Sequence, residues 1–347
     1  MQSSTDVLLM KRALQIARMG EGKVAPNPLV GCVLVHPEYG IIGEGWHQIF
    51  GGPHAEVNAI RSVQNEDWLR ESTAYVTLEP CSHFGKTPPC ADLLIERGIP
   101  RVVICNMDPN PLVAGKGIEK LRSAGIEVQT GILEKEGAHL NRFFLTSFQK
   151  KRPFITLKWA QTSDGFIARE DGSSKWISSA ESRLRVHKWR AEHQAILVGS
   201  GTLQTDDPFL TVRGWKGRSP VRIILDPDLK LHPNLNVFTD QTSKTWVFNQ
   251  VKEESAGHLT FKQLKPPGFT LSDVLDILQK AGIQSLFVEG GSRMIQSFIE
   301  AGLWDEACVF KSPVSFGSGT KAPALQNHLL VTSERSGSDI LETYHPQ

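Results

Sequence analysis

The stretch PHAEVNAI at residues 53–60 and the later stretch LEPCSHFGKTPPC at residues 78–90 decide how the first half of this sequence is interpreted. His54 opens a segment whose apolar residues have helical spacing. Cys81 follows a strand-like run, and Cys90 lies at the start of another helical segment. One imidazole and two thiolates are ligands that zinc prefers in proteins. The pattern therefore predicts a zinc site formed by His54, Cys81 and Cys90.

Three protein ligands leave a fourth zinc position open for water. Zinc lowers the pKa of water to about 7, so hydroxide is available at neutral pH to attack an amidine carbon. Glu56, near the metal but not bound to it, can take a proton from the water and deliver it to the ring nitrogen and the departing amine. This division of roles is typical of zinc deaminases. We therefore predict hydrolytic deamination of a heterocyclic amine, with Glu56 as the catalytic proton carrier.

The spacing of the two cysteines leaves other interpretations open. Cys81 and Cys90 are nine positions apart, whereas zinc deaminases commonly carry a CxxC pair. A zinc site that only stabilises the fold would need a fourth Cys or His ligand, and His83 is a candidate for that ligand. A closed site of this kind would be inactive. Three unrelated core residues are the remaining alternative.

Several polar side chains stand where a substrate pocket is expected. Asn27 leads into the first predicted strand and His47 ends the second, and both are candidates for holding the substrate ring. A turn asparagine and a capped or solvated histidine fit the sequence equally well. The loop at 82–89 contributes His83 and Lys86, and Lys86 is a candidate phosphate contact or simply a solvated lysine.

Composition excludes several classes of protein. The formal net charge is +1 and the basic residues are scattered, which argues against a nucleic-acid partner. No stretch approaches the roughly 18 apolar residues of a membrane span, and residues 1–20 lack the apolar core of a signal peptide, so we expect a cytoplasmic protein. Five cysteines, an odd number, fit a secreted disulfide framework poorly. Three of them lie in apolar runs and are assigned to the core: Cys32, Cys105 and Cys308.

The chain of 347 residues exceeds the roughly 250 to 300 residues at which a single core usually stops growing, so two domains are expected. The basic run at 150–152 before Pro153 marks the boundary, and we predict domains at residues 1–149 and 150–347. Helical and strand-like segments alternate in both halves, which indicates two α/β domains. Residues 134–149 are predicted as one helix, Asp164-Gly165 as a hairpin turn, and residues 249–268 as a surface loop with an edge strand.

At this point the sequence resembles a known family. PNPLVGCVLV (26–35), GWHQIFGGPHAEVNAI (45–60), TLEPCSHFGKTPPC (77–90) and MDPNPLVAGKG (107–117) are similar to the deaminase half of the bifunctional riboflavin-biosynthesis deaminase-reductases. The long cysteine spacing is normal in that family. The reductase half is matched, in order, by LKWAQTSDGFIA (157–168), GSSKWISS (172–179), LVGSGTLQTDDPFLTVR (197–213) and VEGGSRMIQSFI (288–299).

The resemblance implies a cytidine-deaminase-like three-layer α/β/α domain followed by a dihydrofolate-reductase-like α/β domain. It implies two consecutive reactions on pyrimidine ribosyl phosphates: hydrolytic deamination of 2,5-diamino-6-ribosylamino-4-pyrimidinone 5′-phosphate, then reduction of the ribosyl group to ribityl. The implied cofactors are Zn²⁺ for the first reaction and NADPH for the second. We also expect a homo-oligomer that binds small molecules, without a nucleic-acid or membrane partner.

The resemblance also assigns residues in the second half. Gly290-Gly291, between a strand and a helix, would offer backbone N–H groups to a cofactor phosphate, and arginines suit a ribose phosphate because guanidinium groups form bidentate bonds to its oxygens. The implied NADPH contacts are Ala160, Trp176, Thr202, Asp206, Gly290, Gly291 and Ser292. The implied substrate contacts are Lys158, Ser174, Arg190, Leu210, Arg213 and Glu289.

Other functions remain open from the sequence. A deaminase of another pyrimidine or of a nucleic-acid base shares the zinc chemistry and would carry an inactive, nucleotide-binding second domain. A zinc-stabilised regulatory protein that senses nucleotides is the non-enzymatic alternative. If only one of the two domains is active, we expect the reductase to be the inactive one, because its catalysis depends on positioning a hydride.

Overall fold

The computed structural model describes residues 4–82, 88–111, 113–175, 177–265 and 269–347. The chain forms two compact units, Met1–Lys150 and Lys151–Gln347. Within the described ranges, no helix combines the length and the apolar character that a membrane crossing requires.

The first unit is built on a five-stranded sheet with the order β2-β1-β3-β4-β5. The strands are β1 (Gly31–His36), β2 (Gly40–Trp46), β3 (Thr73–Leu78), β4 (Arg101–Asn106) and β5 (Glu127–Thr130). β1 runs antiparallel to both β2 and β3, whereas β3, β4 and β5 are parallel. The carboxyl ends of β3 and β4 therefore lie at the same edge of the sheet.

Helices cover both faces of this sheet. They are α1 (Ser4–Ala17), α2 (Ala55–Arg61), α3 (Cys90–Glu96), α4 (Lys116–Ser123), α5 (Glu134–Leu140) and α6 (Arg142–Gln149), with 3₁₀ turns at Arg18–Gly20 and Glu66–Glu71. Alternate residues of a strand face opposite sides. Cys32 and Leu34 pack in a core with residues of α2, α3 and α4, and Val33 packs in a second core with residues of α1. The predicted three-layer α/β/α arrangement is confirmed.

The segment predicted as one helix, residues 134–149, is two helices. α5 ends at Leu140 and α6 begins at Arg142, and Asn141 between them has φ −99° and ψ 21°. Asparagine is a poor residue for a helix interior because its side chain forms competing hydrogen bonds. The Asn141 carboxamide bonds to the distant backbone of Leu29.

The second unit contains a ten-stranded sheet with the order β11-β12-β10-β9-β8-β13-β6-β14-β17-β16. Its strands are β6 (Phe154–Gln161), β8 (Ala195–Val198), β9 (Val221–Leu225), β10 (Thr245–Asn249), β11 (Glu254–Ala256), β12 (Leu259–Gln263), β13 (Ser285–Glu289), β14 (Glu306–Lys311), β16 (His328–Ser336) and β17 (Asp339–Pro346). The seven strands from β12 to β14 are parallel, and antiparallel strands occupy both edges. β7 (Phe166–Ala168) and β15 (Thr320–Lys321) form a separate pair.

Helices pack on both faces of the large sheet and bury two apolar cores. They are α7 (Ala180–Glu192), α8 (Ser200–Asp206), α9 (Asn236–Thr239), α10 (Leu271–Lys280) and α11 (Ser292–Glu300). The helices α8 and α11 directly follow the neighbouring parallel strands β8 and β13. Their N-termini therefore lie at the carboxyl edge of the sheet, where ligands bind in open α/β folds.

Two local predictions for the second unit need qualification. The chain turns at Asp164-Gly165 as expected, and the Thr162 N–H donates to the Phe166 oxygen at 2.8 Å. The strand after the turn, β7, nevertheless pairs with β15 and forms no ladder with β6. Residues 249–268 contain the edge strand β11 and its neighbour β12, and residues 266–268 lie outside the described part of the chain.

Candidate active sites

The three predicted zinc ligands converge in the first unit. His54 is the N-cap residue of α2, Cys90 is the first residue of α3, and Cys81 lies three residues after β3. His54 Nδ1 is 3.6 Å from Cys81 Sγ and 3.3 Å from Cys90 Sγ. Two ligands on one tetrahedral zinc, at bond lengths of about 2.0 and 2.3 Å, would stand about 3.6 Å apart. The spacing of the side chains therefore fits a zinc ion.

Among the described residues, these three form the metal-binding group, and no further His, Cys, Asp or Glu joins them. His83, the candidate fourth ligand, and Lys86 both lie outside the described residues. The thiol of Cys81 has its pKa held well below the usual range by a hydrogen bond from Cys90, with the imidazole of His54 adding to the effect. A thiolate at this position is suited to bind a cation.

Glu56 lies in the first turn of α2 and is 3% exposed. Burial, with a smaller contribution from the negative Cys81, raises the pKa of Glu56 to about 7. Its Oε2 atom is buried and has no hydrogen-bond partner among the described residues. An unpaired buried carboxyl oxygen is costly, which is a reason to expect a ligand or water at this position. The group is placed to exchange protons beside the metal ligands.

The backbone of β2 lies very close to the backbone of α2, the helix that carries Glu56. A Cβ atom on Gly45 of β2 would lie 2.1 Å from the backbone nitrogen of Ala59 in α2. Only glycine permits this contact. α2 therefore lies directly against β2, and its N-terminal turn faces the cysteines.

Asn27 and His47 both lie beside the zinc ligands. The ring of His47 is 3% exposed, and its centroid is 5.8 Å from that of His54. Burial lowers the pKa of His47, so the ring is neutral at physiological pH. Nδ1 lies 3.0 Å from the Pro53 carbonyl oxygen, which can only accept, so Nδ1 carries the hydrogen. Nε2 then accepts from the Asn27 carboxamide at 3.1 Å. His47 is thus not a solvated histidine.

Glu79 is a residue of this region that the sequence interpretation missed. It is 4% exposed and its carboxylate accepts the backbone N–H groups of Asp108, Gly115, Gly117 and Ile118 at 3.0 to 3.3 Å. These bonds hold Asp108, Gly115 and the start of α4 next to Pro80 and Cys81. Its position directly before the Pro-Cys pair is the sequence signal that could have identified it.

In the second unit, two strand-to-helix turns meet at the carboxyl edge of the sheet. Gly290-Gly291 connects β13 to α11, and Gly199 connects β8 to the first turn of α8, which contains Thr202. The Gly291 N–H donates to Thr202 Oγ1 at 2.9 Å. Gly290 has φ 131°, a conformation that favours glycine. The bond joins the N-termini of α8 and α11, and the first backbone N–H groups of a helix suit a phosphate.

A buried cluster of charged residues lies at the same edge. Glu289 is the last residue of β13 and pairs in register with Lys158 of β6. Arg190 of α7 donates to the Glu289 carboxylate through Nε at 2.6 Å and Nη2 at 3.0 Å, and Lys158 Nζ is 3.9 Å from Glu289. Burial would raise the pKa of Glu289, but the two cations outweigh it and the pKa is lowered. The resemblance implied that Arg190 forms bidentate bonds to the substrate phosphate. In the structure, its Nε and Nη2 groups donate to Glu289 instead.

His187 is a second residue that the sequence interpretation missed. It lies one turn before Arg190 on α7, and its Nδ1 accepts the backbone N–H of Arg213 at 3.2 Å. Arg190 Nη1 in turn donates to the Thr211 oxygen at 3.2 Å. Helix α7 therefore holds the segment 210–213, in which Leu210 is buried and has φ 56°.

The remaining predicted contacts of this unit lie on several different segments. Ala160 and Ser174 are half-buried, Asp206 is the exposed last residue of α8, and the Arg213 guanidinium lies 5.6 Å from the Phe209 ring centre. Ser292 begins α11 and its hydroxyl donates to the Lys321 oxygen at 2.9 Å. Trp176 lies outside the described residues.

Comparisons with known proteins identify both units. Residues 3–106 match the family described as the cytidine and deoxycytidylate deaminase zinc-binding region, and residues 153–341 match the RibD C-terminal domain. The riboflavin biosynthesis protein RibD of Aquifex aeolicus is 47% identical over 89% of this chain and 87% of its own length. That of Bacillus amyloliquefaciens is 45% identical over 91% of this chain and 86% of its own length.

The fold agrees with these sequence comparisons. The crystal structure of a Thermotoga maritima diaminohydroxyphosphoribosylaminopyrimidine deaminase/5-amino-6-(5-phosphoribosylamino)uracil reductase superposes with a TM-score of 0.90 and 41% identity, and the match covers 99% of each chain. The family and fold predicted from the sequence are confirmed, and the alternative of a nucleic-acid deaminase with an inactive second domain is not favoured. The chain therefore belongs to the RibD family, the bifunctional deaminase-reductases of riboflavin biosynthesis.

Proposed function

We propose that the first unit hydrolytically deaminates 2,5-diamino-6-ribosylamino-4-pyrimidinone 5′-phosphate and that the second unit reduces the ribosyl group of the product to ribityl with NADPH. The observation that carries the proposal is the cluster of His54, Cys81 and Cys90 beside the buried, unpartnered Oε2 of Glu56. The Thermotoga maritima relative, named for these two activities, supports the assignment of substrates.

In the deaminase site, His54, Cys81 and Cys90 would hold the zinc. Zinc supplies a water molecule with a pKa of about 7, so that hydroxide is available at neutral pH. Glu56 accepts the proton that the water gives up and transfers it to the ring nitrogen. Glu56 would then take the proton of the hydroxyl group that has added to the ring carbon and deliver it to the departing amine, so that water and the amidine become a carbonyl and ammonia.

Asn27 and His47 orient the substrate ring. Because His47 Nε2 accepts from the Asn27 amide nitrogen, the Asn27 carboxamide oxygen is left to accept from a ligand. An exocyclic amine or ring N–H of a diaminopyrimidinone is a donor of the required kind. Lys86 and His83, in the same matched motif, are proposed to contact the substrate, Lys86 through its phosphate.

In the reductase site, Gly290, Gly291, Ser292 and Thr202 are proposed to bind a phosphate of NADPH at the N-termini of α11 and α8, where the first N–H groups of a helix lack partners within it, while the Gly291 N–H holds Thr202 in place. Lys158, Arg190 and Glu289 would contact the substrate. Bound NADPH would supply the hydride that, together with one proton, converts ribosyl to ribityl. Further substrate contacts are Ser174, Leu210 and Arg213. Further cofactor contacts are Ala160, Trp176 and Asp206.

We propose a cytoplasmic location and a homo-oligomeric assembly. All five cysteines lie in the described part of the chain and form no disulfide there, and the two zinc ligands among them must stay reduced, which suits a reducing compartment. The edge strand β16 exposes Leu329, Leu330 and Val331, each about half accessible. An exposed apolar edge strand favours pairing with another chain, and a second copy of this protein is the partner proposed.

The function is tested by incubating zinc-loaded protein with the diaminopyrimidinone ribosyl phosphate, with and without NADPH. Ammonia release in both samples, and loss of nicotinamide absorbance only as the deaminated product appears, would establish both reactions and their order. Glu56→Ala should stop the sequence at its first step. Absence of ammonia from a preparation with stoichiometric zinc would overturn the deaminase assignment, and ammonia without NADPH oxidation would overturn the reductase assignment.

A further inference from the structure

Asn141 makes two hydrogen bonds to the backbone of one distant residue. The Leu29 N–H donates to Asn141 Oδ1 at 2.8 Å, and Asn141 Nδ2 donates to the Leu29 oxygen at 2.9 Å. The two residues are 112 positions apart, and Asn141 is 4% exposed. Both polar groups of the buried carboxamide therefore bond to the backbone of Leu29. Losing them would leave the N–H and the oxygen of Leu29 without these hydrogen bonds.

The segment that Asn141 holds has few other anchors. Pro26 and Pro28 have no amide hydrogen, so residues 26–29 contain only the N–H groups of Asn27 and Leu29. The Asn27 N–H donates to the Val24 oxygen at 2.9 Å. In the described part of the chain, the Leu29 backbone forms two hydrogen bonds, and both are to the Asn141 side chain. The Asn141 side chain therefore supplies the hydrogen bonds that hold the Leu29 backbone, in addition to the packing of the Leu29 side chain against the core around α1.

The held segment leads directly to the deaminase site. Asn27 lies two residues before Leu29 and donates to Nε2 of His47 at 3.1 Å. His47 in turn packs edge-on against the zinc ligand His54, with ring centres 5.8 Å apart. A continuous set of contacts thus runs from Asn141 through Leu29 and Asn27 to the ring beside the metal ligands.

We propose that Asn141 is a positioning residue for the deamination, one that fixes segment 26–29 so that the carboxamide oxygen of Asn27 meets the substrate ring. The inference rests on the proposed role of Asn27 as a substrate contact. Asn141 bonds to neither the zinc ligands nor Glu56. Its loss therefore weakens substrate binding more than it slows the chemical step.

The test uses Asn141→Ala in the full zinc-loaded chain, with initial rates of ammonia release measured over a range of substrate concentrations. We expect KM to rise roughly tenfold, from the loss of two buried hydrogen bonds, while kcat changes less than about threefold. Zinc content and NADPH oxidation with pre-deaminated substrate stay at the wild-type level. An unchanged KM overturns the proposal, and so does a fall in kcat without a rise in KM.

Asn141→Asp is the second variant, in case the alanine substitution destabilises the first unit. It keeps the acceptor for the Leu29 N–H but places a second acceptor against the Leu29 oxygen, so KM is expected to rise again. Tyr75→Phe is the matched control, because it deletes a buried hydrogen bond of the same unit, Tyr75 Oη to Asp6 Oδ1 at 2.7 Å, away from segment 26–29. It is expected to leave KM unchanged, and an equal rise in KM in this control overturns the proposal.

Combining Asn141→Ala with Asn27→Ala separates this inference from the proposed function. If Asn141 acts through Asn27, the double variant has the KM of Asn27→Ala alone, whereas additive effects overturn the inference. A raised KM for Asn27→Ala with a normal KM for Asn141→Ala overturns the inference and leaves the role of Asn27 standing. A normal KM for Asn27→Ala overturns both.

Discussion

Arg190 and Glu289 form a bidentate ion pair whose side chains are 12% and 10% exposed, and Lys158 lies 3.9 Å from the same carboxylate. One carboxylate thus balances two buried cations at the carboxyl edge of the large sheet. The arrangement fixes Arg190 before any ligand is present, because both oxygens of Glu289 are bonded to its guanidinium. Preorganised charge of this kind is what a site for a phosphorylated sugar requires.

Glu289→Gln is therefore expected to disrupt reduction. Removing one partner of a buried ion pair costs about 3 to 5 kcal/mol, because the other charge is left uncompensated, and Lys158 loses its counter-charge as well. We expect kcat/KM for NADPH oxidation with deaminated substrate to fall at least about tenfold, with ammonia release unchanged. Asp276→Asn, which breaks an exposed pair with Lys280 in the same unit, is the control and should change stability by less than about 0.5 kcal/mol. Wild-type reduction by Glu289→Gln would contradict this account.

Glu56→Gln is expected to abolish deamination without displacing the metal. The amide has nearly the same shape as the buried carboxyl group but cannot accept or deliver the protons, so ammonia release should fall by about 100-fold or more. Zinc content should remain at the wild-type level, as should NADPH oxidation with deaminated substrate. Glu66→Gln removes an exposed carboxylate paired with Arg97 and serves as the control with full activity. Loss of zinc in Glu56→Gln would show that the carboxylate is needed for metal binding.

Much of the deaminase half could be predicted from the sequence, for a physical reason. His54, Cys81 and Cys90 follow or begin regular elements, and their residue types specify a metal chemistry that few other arrangements satisfy. The structure brings these three side chains together with Glu56. The alternation of helical and strand-like segments also predicted correctly an α/β unit, and helices cover both faces of its sheet.

What the sequence did not reveal depends on contacts between distant residues. The bond from Asn141 to Leu29 spans 112 positions, and the apolar periodicity of residues 134–149 conceals the break at Asn141. The pairing of β7 with β15 instead of β6 likewise depends on a segment more than 150 residues further along the chain. The ion pair of Arg190 with Glu289 is long-range too, so the partner of the guanidinium could not be read from its helix.

Removing the metal should separate the two activities. Cys81→Ser deletes a ligand whose thiol is held in its anionic form, and two remaining ligands bind zinc weakly. We expect zinc content to fall below about a tenth of the wild-type level and ammonia release to fall with it, while NADPH oxidation with deaminated substrate continues. Cys308→Ser, a buried cysteine of the other unit, is the control that should retain zinc. Deamination by a zinc-free preparation would show that the cluster is not catalytic.

The ion pair of Asp6 with Arg101 should make the stability of the first unit depend on pH. The hydrogen bonds from Arg101 at 3.1 Å lower the pKa of the buried Asp6 carboxyl, against the opposing effect of burial. A depressed pKa in the folded state contributes stability that is present above the unfolded value of about 3.9 and is lost as the pH falls through the folded value. We expect Asp6→Asn to lower the free energy of unfolding by about 1.5 to 3 kcal/mol at pH 7, the range for hydrogen bonds to charged groups. Denaturant titrations at a series of pH values measure this difference in the free energy of unfolding, which should shrink below about pH 4. A difference that stays constant to lower pH would show that lost packing, not lost charge, is its cause.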